Sequence, residues 1–398
     1  MIALRTLNLA IGVAIGVFVP FISVNLASRG FGPAQIGLVA SLGALGFTIA
    51  VPVWGHLADV RLGRPRTLQV CAIGAGVAVV LLLRDWSMAV IALLFFLYWV
   101  FASSWQPLSD ALSVNALRGR RGGYERVRLL ASLTFAVGAI GAGFLYDRTG
   151  YGASSVLLAV GAVLIAVTAA FVPDVGRADL GAHRSSSATP VRTWRLGSVG
   201  VALRVAPRLG AVLFVVAVLH IGIISGYTFL SLRLVELGGS PSVVALSAGI
   251  SAFAEVPSML VAGWIAFRIG LRGLFAVGAL LYGVAFLSWA VVGSVELIIA
   301  SRILIGFSFA SVIVAVVLTI ATLLPAELQA TGQALFQTTA FGIAAIIANV
   351  VGGFLYSTAG HAAVFGLAAV LAVAAAIGGW LVMPRRPGVR AAPSMRQS

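Results

Sequence analysis

GFLYDRTG at positions 143–150 and GFLYSTAG at 353–360 stand 210 residues apart and share five of their eight residues. A second pair of stretches, GHLADVRLGRPR from Gly55 and GWIAFRIGLR from Gly263, stands 208 residues apart. The same offset of 208 separates two prolines, Pro33 and Pro241. Three matches at nearly one spacing are hard to produce by chance. They indicate that the chain consists of two copies of one structural unit.

The composition indicates that this unit lies in lipid. Of the 398 residues, 61% are hydrophobic and 9% are charged, whereas a soluble chain averages about 25% charged residues. So few charges cannot cover a protein of this size against water. The net charge of +15 would indicate a nucleic-acid partner in a soluble protein. Here the arginines cluster in short loops between apolar runs, so we predict a lipid bilayer as partner and no nucleic acid.

Apolar runs long enough to cross a bilayer recur along the whole chain. A spanning helix needs about 20 mostly apolar residues, and continuous runs of this kind are not the alternating pattern of a membrane β-barrel. The sequence predicts an all-α membrane protein with twelve transmembrane helices in two pseudo-symmetric six-helix bundles. The twelve runs lie at about 7–28, 36–56, 68–84, 88–113, 129–146, 152–172, 208–230, 242–266, 273–291, 295–323, 328–354 and 361–383.

The arginines predict the orientation of these helices. With the N-terminus in the cytoplasm, 21 arginines fall on the cytoplasmic side, four fall outside, and Arg302 lies within a helix. Cytoplasmic loops carry an excess of basic residues, and a miscount by one helix would scramble this distribution. We therefore predict a multi-pass protein of the plasma or inner membrane with both termini in the cytoplasm.

One stretch, from about Pro173 to Pro207, is rich in Arg, Ser and Pro and differs from the rest. It is typical of a cytoplasmic linker between two helical halves. The predicted domain organisation is an N-terminal six-helix bundle at 1–172, a linker at 173–207, a C-terminal six-helix bundle at 208–384 and a cytoplasmic tail at 385–398.

The loop after the second run resembles the signature G-x-x-x-D-R-x-G-R of the major facilitator superfamily. The first copy has one extra residue between its acid and its second glycine, and the second copy has Phe267 where an acid would stand. We expect the glycines to serve backbone turns and the acid to pair with an arginine or a helix N-terminus; a plain positive-inside loop is the alternative. The matching residues are Gly55, Asp59, Gly63 and Arg64, with Gly263, Arg268 and Gly270 in the second copy.

Further stretches resemble the subgroup that contains the 3-phenylpropionate permease and the proton-coupled nucleoside and oligosaccharide symporters. They cover both halves in order and read GVFVPFISVNL from Gly16, QPLSDAL from Gln106, YERVRLLASLTF from Tyr124, AEVP from Ala254 and ATGQAL from Ala330. One departure is that Ile305 stands where this subgroup often has a histidine in the tenth helix. A coupling step that depends on this histidine is therefore not expected.

Two charged residues fall inside predicted helices, where charge is costly and usually functional. Glu255 lies about 13 residues, or about 20 Å, into its helix, and a buried carboxyl that can take up a proton near neutral pH suits proton coupling. The alternative is a structural ion pair with Arg302. Arg302 would attract a polar solute in a cavity, or else reach upward to the outer membrane surface.

Other polar residues are candidates by position. The resemblance implies that Asp110 and Arg128 form a charge pair at the cytoplasmic end of the first half, either contacting the solute or stabilising a gate. We also predict that three uncharged residues line the solute cavity, or else link helices to one another. They are Asn25, Gln106 and Gln337.

These features predict a secondary active transporter that moves a small organic solute by alternating access, by proton-coupled symport and as a monomer. An exporter or drug/proton antiporter is the alternative; a membrane enzyme or a sensor fits less well. We find no catalytic motif of the G-x-S-x-G or H-E-x-x-H type, and neither the single Cys71 nor the four scattered histidines have the spacing of a metal site. We predict no enzymatic activity, no metal and no cofactor.

Overall fold

The computed structural model describes residues 2–116, 123–174 and 196–385, with side chains described in these ranges except at 115, 123–129 and 196–198. Every regular element within these ranges is a helix. This confirms the predicted all-α membrane fold.

The first half contains six helices, and proline or glycine marks most of their boundaries. Prolines occupy the first turn of α2 and of α3, where the missing amide has no partner to lose. The helices are α1 (Ile2–Ser28, with a 3₁₀ turn at Val19–Phe21), α2 (Pro33–Leu62), α3 (Arg64–Leu81), α4 (Met88–Ala102 continued by Trp105–Ala116), α5 (Gly123–Thr149) and α6 (Ala153–Ala170). Within this half α1 packs on α5 and α6, and α3 packs on α4 and α6.

The second half begins after a short helix, Leu196–Val205. Two continuous helical stretches, Pro241–Val291 and Ala344–Val382, contain a glycine with non-helical backbone angles, Gly270 and Gly360 respectively. We divide both stretches at these glycines. The helices are α7 (Arg208–Glu236), α8 (241–270), α9 (271–291), α10 (Val295–Leu323), α11 (326–360, with a π-helical turn at Thr338–Ile343) and α12 (361–382).

Nine of the helical stretches in the described ranges are long and apolar enough to cross a membrane. Two of the nine are the long stretches divided at Gly270 and Gly360. The helix α3 is not among them, since Arg64 and Arg66 in its first turn lower its mean hydropathy. Dividing the two long stretches and including α3 gives the twelve segments that the sequence predicts.

All six glycines with positive φ in the described residues form three pairs related by the repeat. Their separations of 208, 207 and 210 residues lie within one residue of the offsets between the repeated sequence stretches. The pairs are Gly30 with Gly238 (85° and 82°), Gly63 with Gly270 (81° and 79°), and Gly150 with Gly360 (74° and 77°). Because L-residues rarely adopt these angles, the two halves share the same chain-reversal points.

The extra residue in the first loop signature forms a π-helical turn. Ala58–Leu62 is π-helical, and the amide of Gly63 donates to the carbonyl of Ala58 five residues earlier. A π turn contains one residue more than an α turn. The insertion is therefore absorbed in the last turn of α2, and Gly63 keeps the positive φ of its repeat partner Gly270.

By its contacts, the chain separates into two compact units. The first comprises residues 1–190 together with 231–252, and the second comprises 191–230 together with 253–398. Within the first unit the start of α8 packs closely on α5, where a Cβ at Gly143 would collide with the Cβ of Ala245. At the same contact the amide of Ser242 donates to the carboxylate of Asp147 over 3.0 Å.

The turn between α8 and α9 can be used to test whether glycine is required where φ is positive. Gly270→Ala and Gly360→Ala should both lower the free energy of unfolding by about 1–3 kcal/mol, because alanine is strained at a positive φ. We expect Gly270→Ala to destabilise the protein more, because only at Gly270 would the added Cβ collide with the carbonyl of Arg385. Thermal unfolding can be followed by a thiol-reactive dye at the buried Cys71. The control is Gly263→Ala, since Gly263 is helical and has open space around it. Equal melting temperatures for all three variants would contradict this account.

Candidate solute and proton site

A cluster of aromatic and charged side chains connects three helices of the second unit. Tyr227 lies on α7, Tyr282 and Trp289 on α9, and Arg302 on α10. Arg302 is buried, at 7% exposure, and Tyr282 and Trp289 are fully buried. Tyr227 keeps 37% of its surface exposed, so the cluster opens to its surroundings at Tyr227. A polar cluster of this kind on apolar helices is the expected mark of a functional site in a membrane protein.

Arg302 is held by two aromatic rings. Its guanidinium carbon lies 5.1 Å from the ring centre of Tyr227 and 5.5 Å from that of Trp289. Cation–π contacts gain strength when water is excluded. This position differs from that of an arginine reaching the membrane surface, which favours the other alternative, attraction of a polar solute; that role of Arg302 stays a prediction.

The two tyrosines and Trp289 extend the polar contacts of the cluster. The hydroxyls of Tyr227 and Tyr282 lie 3.1 Å apart and form a hydrogen bond. The indole nitrogen of Trp289 donates to the hydroxyl of Ser301 over 2.7 Å, and Ser301 precedes Arg302 on α10. These bonds satisfy polar atoms that would be costly to leave unpaired in an apolar interior, and they join α7, α9 and α10.

Glu255 lies on α8 and is half-buried. Its charge acts electrostatically on both Tyr227 and Tyr282. Two residues later Pro257 interrupts the hydrogen bonding of α8, and the Ser258 hydroxyl donates to the carbonyl of Ala254. The only carboxyl that the sequence places deep in a helix therefore lies within electrostatic range of the buried arginine's partners.

In the first unit, two of the predicted residues form a pair on α4. The amide of Gln106 donates to the carboxylate of Asp110 over 3.0 Å, one helical turn away, and both side chains are half-buried. The side chain of Arg128 lies outside the described residues, so the pairing of Asp110 with Arg128 stays a prediction.

The two other uncharged candidates differ from each other. Asn25 is buried, and its amide donates to the carbonyl of Tyr151 at 2.9 Å and to the hydroxyl of Ser154 at 3.0 Å. These bonds link α1 to the start of α6, which favours the interhelical role for Asn25. Gln337 is exposed and ends the α-helical part of α11 directly before the π turn; its cavity role stays a prediction.

The loop-signature residues divide into turn and helix positions. Gly63 and Gly270 have the positive φ of turns, whereas Gly55 and Gly263 lie inside helices with open space beside them. The expectation that turns need these glycines thus applies only to Gly63 and Gly270.

The acid of the first signature copy pairs as expected. Asp59 lies 3.3 Å from Arg64 in an ion pair, while the amide of Arg64 donates to Asp174 over 3.1 Å. Asp174 therefore binds the N-terminus of α3, the role that helix ends offer to acids. A crevice of about 370 Å³ beside this turn is lined in part by Arg66, Gln69 and Asp174.

Sequence reasoning missed the aromatic members of the cluster, Tyr227, Tyr282 and Trp289. It also missed His220 on α7, which is buried and donates from Nδ1 to the carbonyl of Val216 at 2.8 Å. The His220 ring lies edge-on to two phenylalanines that flank Gln337 in sequence, Phe336 and Phe341. The available signal was that tyrosine, tryptophan and histidine within apolar helices need polar partners.

Twelve helical segments in two repeated halves are the architecture of a transporter of the major facilitator type. The chain belongs to the MFS_1-like family, whose family model matches residues 10–367. The chain is 26% identical over 344 residues to the maltose permease of Geobacillus stearothermophilus, covering 86% of this chain and 84% of the permease. It is 23% identical over 367 residues to the uncharacterized transporter YwbF of Bacillus subtilis, covering 90% and 87%.

Solved structures agree with this fold. A single-residue mutant of the nucleoside transporter NupG superposes with a TM-score of 0.82 at 16% identity, over 96% of this chain and 99% of NupG. A mutant of a peptide transporter POT in complex with alafosfalin superposes with a TM-score of 0.70 at 15% identity, over 96% and 95%. The family match over residues 10–367 and the likeness to the maltose permease identify this protein as a multi-pass membrane transporter of a solute rather than an enzyme.

Proposed function

We propose that this protein carries a small polar organic solute across the membrane by alternating access, together with a proton. The observation that supports the proposal is the cluster of Tyr227, Tyr282 and Arg302 with Glu255 in electrostatic range. The proposal combines one group that can gain or lose a proton, Glu255, with one group that is always charged, Arg302. Such a pair has two charge states, which a transporter can use to favour two conformations.

The proposed coupling group is Glu255. When its carboxyl is ionised, its negative charge attracts the cation of Arg302, and both charges act on Tyr227 and Tyr282. When it takes up a proton, that attraction is lost, and the hydrogen bonds of Tyr227 can rearrange toward a solute. The proton affinity of Glu255 then depends on whether solute is bound, and by linkage solute affinity depends equally on the proton.

Candidate solutes are hydroxyl-bearing organic molecules. The relatives named above carry the words maltose and nucleoside in their names, and a tyrosine hydroxyl beside an arginine suits neutral hydrogen-bonding groups. Within this proposal Arg302, Gln106 and Gln337 contact the solute. Asp110 with Arg128 forms a gating pair, and the loop signatures hold the cytoplasmic turns.

Uptake into proteoliposomes tests the proposal. Radiolabelled maltose and nucleosides are offered to vesicles with the interior alkaline, with the interior acidic, and with no pH gradient. Symport predicts accumulation only when protons flow inward with the solute. Accumulation with protons flowing outward would instead favour the alternative, an exporter or drug/proton antiporter. Uptake that ignores the gradient in all three conditions would refute proton coupling.

Tyr227→Phe tests the role of the Tyr227 hydroxyl in the cluster. The variant keeps the ring beside the guanidinium of Arg302 but removes the hydrogen bond to Tyr282. We expect gradient-driven accumulation to fall by about tenfold, the effect of losing roughly 1.4 kcal/mol with one hydrogen bond. Tyr146→Phe is the matched control, because its hydroxyl donates to the carbonyl of Val17 in the other unit. An equal effect in both variants would point to stability rather than coupling.

The proposed topology has both termini and the 173–207 linker in the cytoplasm. Cys71 is the single cysteine, so a Cys71→Ser background permits labelling of introduced cysteines one at a time. From outside intact cells, we expect an impermeant thiol reagent to label Ser240→Cys, which lies between α7 and α8, but not Ser187→Cys in the linker. Labelling at Ser187→Cys from outside would overturn the orientation.

A further inference from the structure

Two arginines on either side of the turn between α8 and α9 rest on tryptophan rings. The guanidinium carbon of Arg268 lies 4.4 Å from the ring centre of Trp264, and that of Arg272 lies 4.3 Å from the ring centre of Trp380. The two rings are 56% and 48% exposed. Within the residues that the structure describes, neither arginine forms an ion pair with a carboxylate.

The first copy of this turn is built differently. There Asp59 neutralises Arg64 in an ion pair. At the equivalent place the second copy has Phe267, whose side chain is 57% exposed. The second turn therefore has an apolar side chain where the first has an internal acid, and it keeps its arginines. A positive-inside loop needs only the arginines, and tryptophan is common at the headgroup level of a membrane. The feature particular to this turn is that each of the two arginines lies against a tryptophan ring.

The end of α12 adds to the same surface. The amide of Leu271 donates to the carbonyl of Arg385 over 3.1 Å, and the side chain of Arg385 is exposed. Gly270 permits this approach, because a Cβ there would collide with the Arg385 carbonyl. A third arginine is thereby fixed at the turn, close to the exposed Leu381 at the end of α12.

We propose that this surface binds the phosphate of an anionic phospholipid in the cytoplasmic leaflet. It is formed by Trp264, Arg268, Arg272, Trp380 and Arg385, and we call it the lipid surface. A guanidinium stacked on a ring keeps its in-plane N–H groups for a phosphate, which it can bind in a bidentate manner. Tryptophan rings favour the headgroup level of a membrane, and anionic lipids attract basic residues beside membrane helices.

The apolar neighbours of the lipid surface support a lipid over a soluble anion. Phe267 and Leu381 expose 57% and 76% of their side chains beside the arginines. Such side chains contact acyl chains favourably, whereas a free phosphate has no apolar part for them to contact. The inference is independent of which solute is carried and of whether a proton accompanies it.

Native mass spectrometry of the full-length protein can test the inference, using equimolar phosphatidylglycerol and phosphatidylcholine. We expect bound phosphatidylglycerol to exceed phosphatidylcholine, and the double variant Arg268→Gln/Arg272→Gln to reduce this preference about thirtyfold, the effect of two basic residues at the membrane surface. The matched control is Arg61→Gln/Arg66→Gln at the first copy of the turn, which should keep most of the preference. Melting temperatures of both double variants in phosphatidylcholine verify folding.

Two further measurements distinguish the contribution of the arginine charges from that of the tryptophan rings, and binding of a lipid from binding of a free phosphate. Trp264→Leu/Trp380→Leu keeps the charges and should reduce the preference by less than the arginine variant. Added inorganic phosphate at the same ionic strength as chloride should not displace the phosphatidylglycerol. Equal preference in the wild type and the Arg268/Arg272 variant would overturn the proposal, and so would equal losses at the two turns or displacement by phosphate.

Discussion

Replacing Glu255 by glutamine is expected to abolish accumulation of solute against its gradient while leaving solute exchange across the membrane intact. Glutamine keeps the size and hydrogen-bonding shape of the side chain but cannot take up or release a proton. Exchange requires only that the solute site alternate between the two sides. Accumulation also requires that proton affinity differ between the two states, because that difference is the coupling free energy.

Two assays on the same proteoliposomes measure this difference. Uptake driven by an inwardly directed proton gradient should fall to the level seen without a gradient, a loss of at least about tenfold if coupling exceeds roughly 1.4 kcal/mol. Counterflow of labelled solute against unlabelled solute should stay within about twofold of the wild type. The control is Glu327→Gln, an exposed acid in the first turn of α11, which should leave both assays unchanged.

The opposite outcome would identify a different role for Glu255. If Glu255→Gln still accumulates solute at normal rates, Glu255 is not the coupling group, and a structural partnership with Arg302 becomes the better account. If counterflow is lost together with accumulation, Glu255 contacts the solute itself. In neither case is the transport class of the protein affected, since that rests on the family match over residues 10–367.

Replacing Arg302 by methionine is expected to lower solute transport by about a hundredfold or more. Methionine is unbranched and apolar, so it can occupy the same space between Tyr227 and Trp289. The loss comes from removing the buried cation of the cluster, which leaves the rings of Tyr227 and Trp289 without the charge they contact and Glu255 without the opposing charge. Breaking a buried charged contact from one side typically costs about 3–5 kcal/mol.

A double-variant cycle separates coupling from simple destabilisation. If Arg302 and Glu255 act on one another through the tyrosines, Arg302→Met combined with Glu255→Gln should be less defective than the sum of the two single effects. Residues in one network show interaction energies of about 0.5–3 kcal/mol. The control is Arg148→Met, at the exposed end of α5. Strict additivity of Arg302 and Glu255 would show that they do not communicate.

The helices and their breaks could be read from the sequence because both signals are local. An apolar run of sufficient length must become a helix in lipid, where every backbone amide needs an internal partner. The turns between helices are marked by glycines in the same local way, because only glycine adopts a positive φ at little cost. These glycines are Gly30, Gly63 and Gly150 and their repeat partners. The repeat was visible in sequence for the same reason, and the φ angles of each pair agree to within three degrees.

The extra residue of the first loop signature is a feature that local sequence detects but whose conformation local sequence does not predict. The sequence identified the insertion between Asp59 and Gly63 but not how the chain absorbs it. An extra residue can be accommodated either in a loop or in a π-helical turn, and only the π turn has a hydrogen bond from an amide to the carbonyl five residues earlier. The amide of Gly63 donates to the carbonyl of Ala58, so the segment is a π turn. This outcome depends on the surrounding helices, which hold both ends of the segment.

In the candidate site, too, some residues could be identified from the sequence, whereas their contacts required the structure. The sequence by itself determined the class of protein and singled out Glu255 and Arg302, because an ionisable residue in an apolar helix is rare and costly. Only the tertiary structure decided that Arg302 rests on Tyr227, 75 positions before it in the chain, and that Asn25 ties α1 to α6 through a residue 129 positions away. Such residues meet only after the helices have packed. Hydrophobic patterning specifies that a helix lies in lipid, but which of its faces meets which neighbour is set by side-chain packing among all the helices at once.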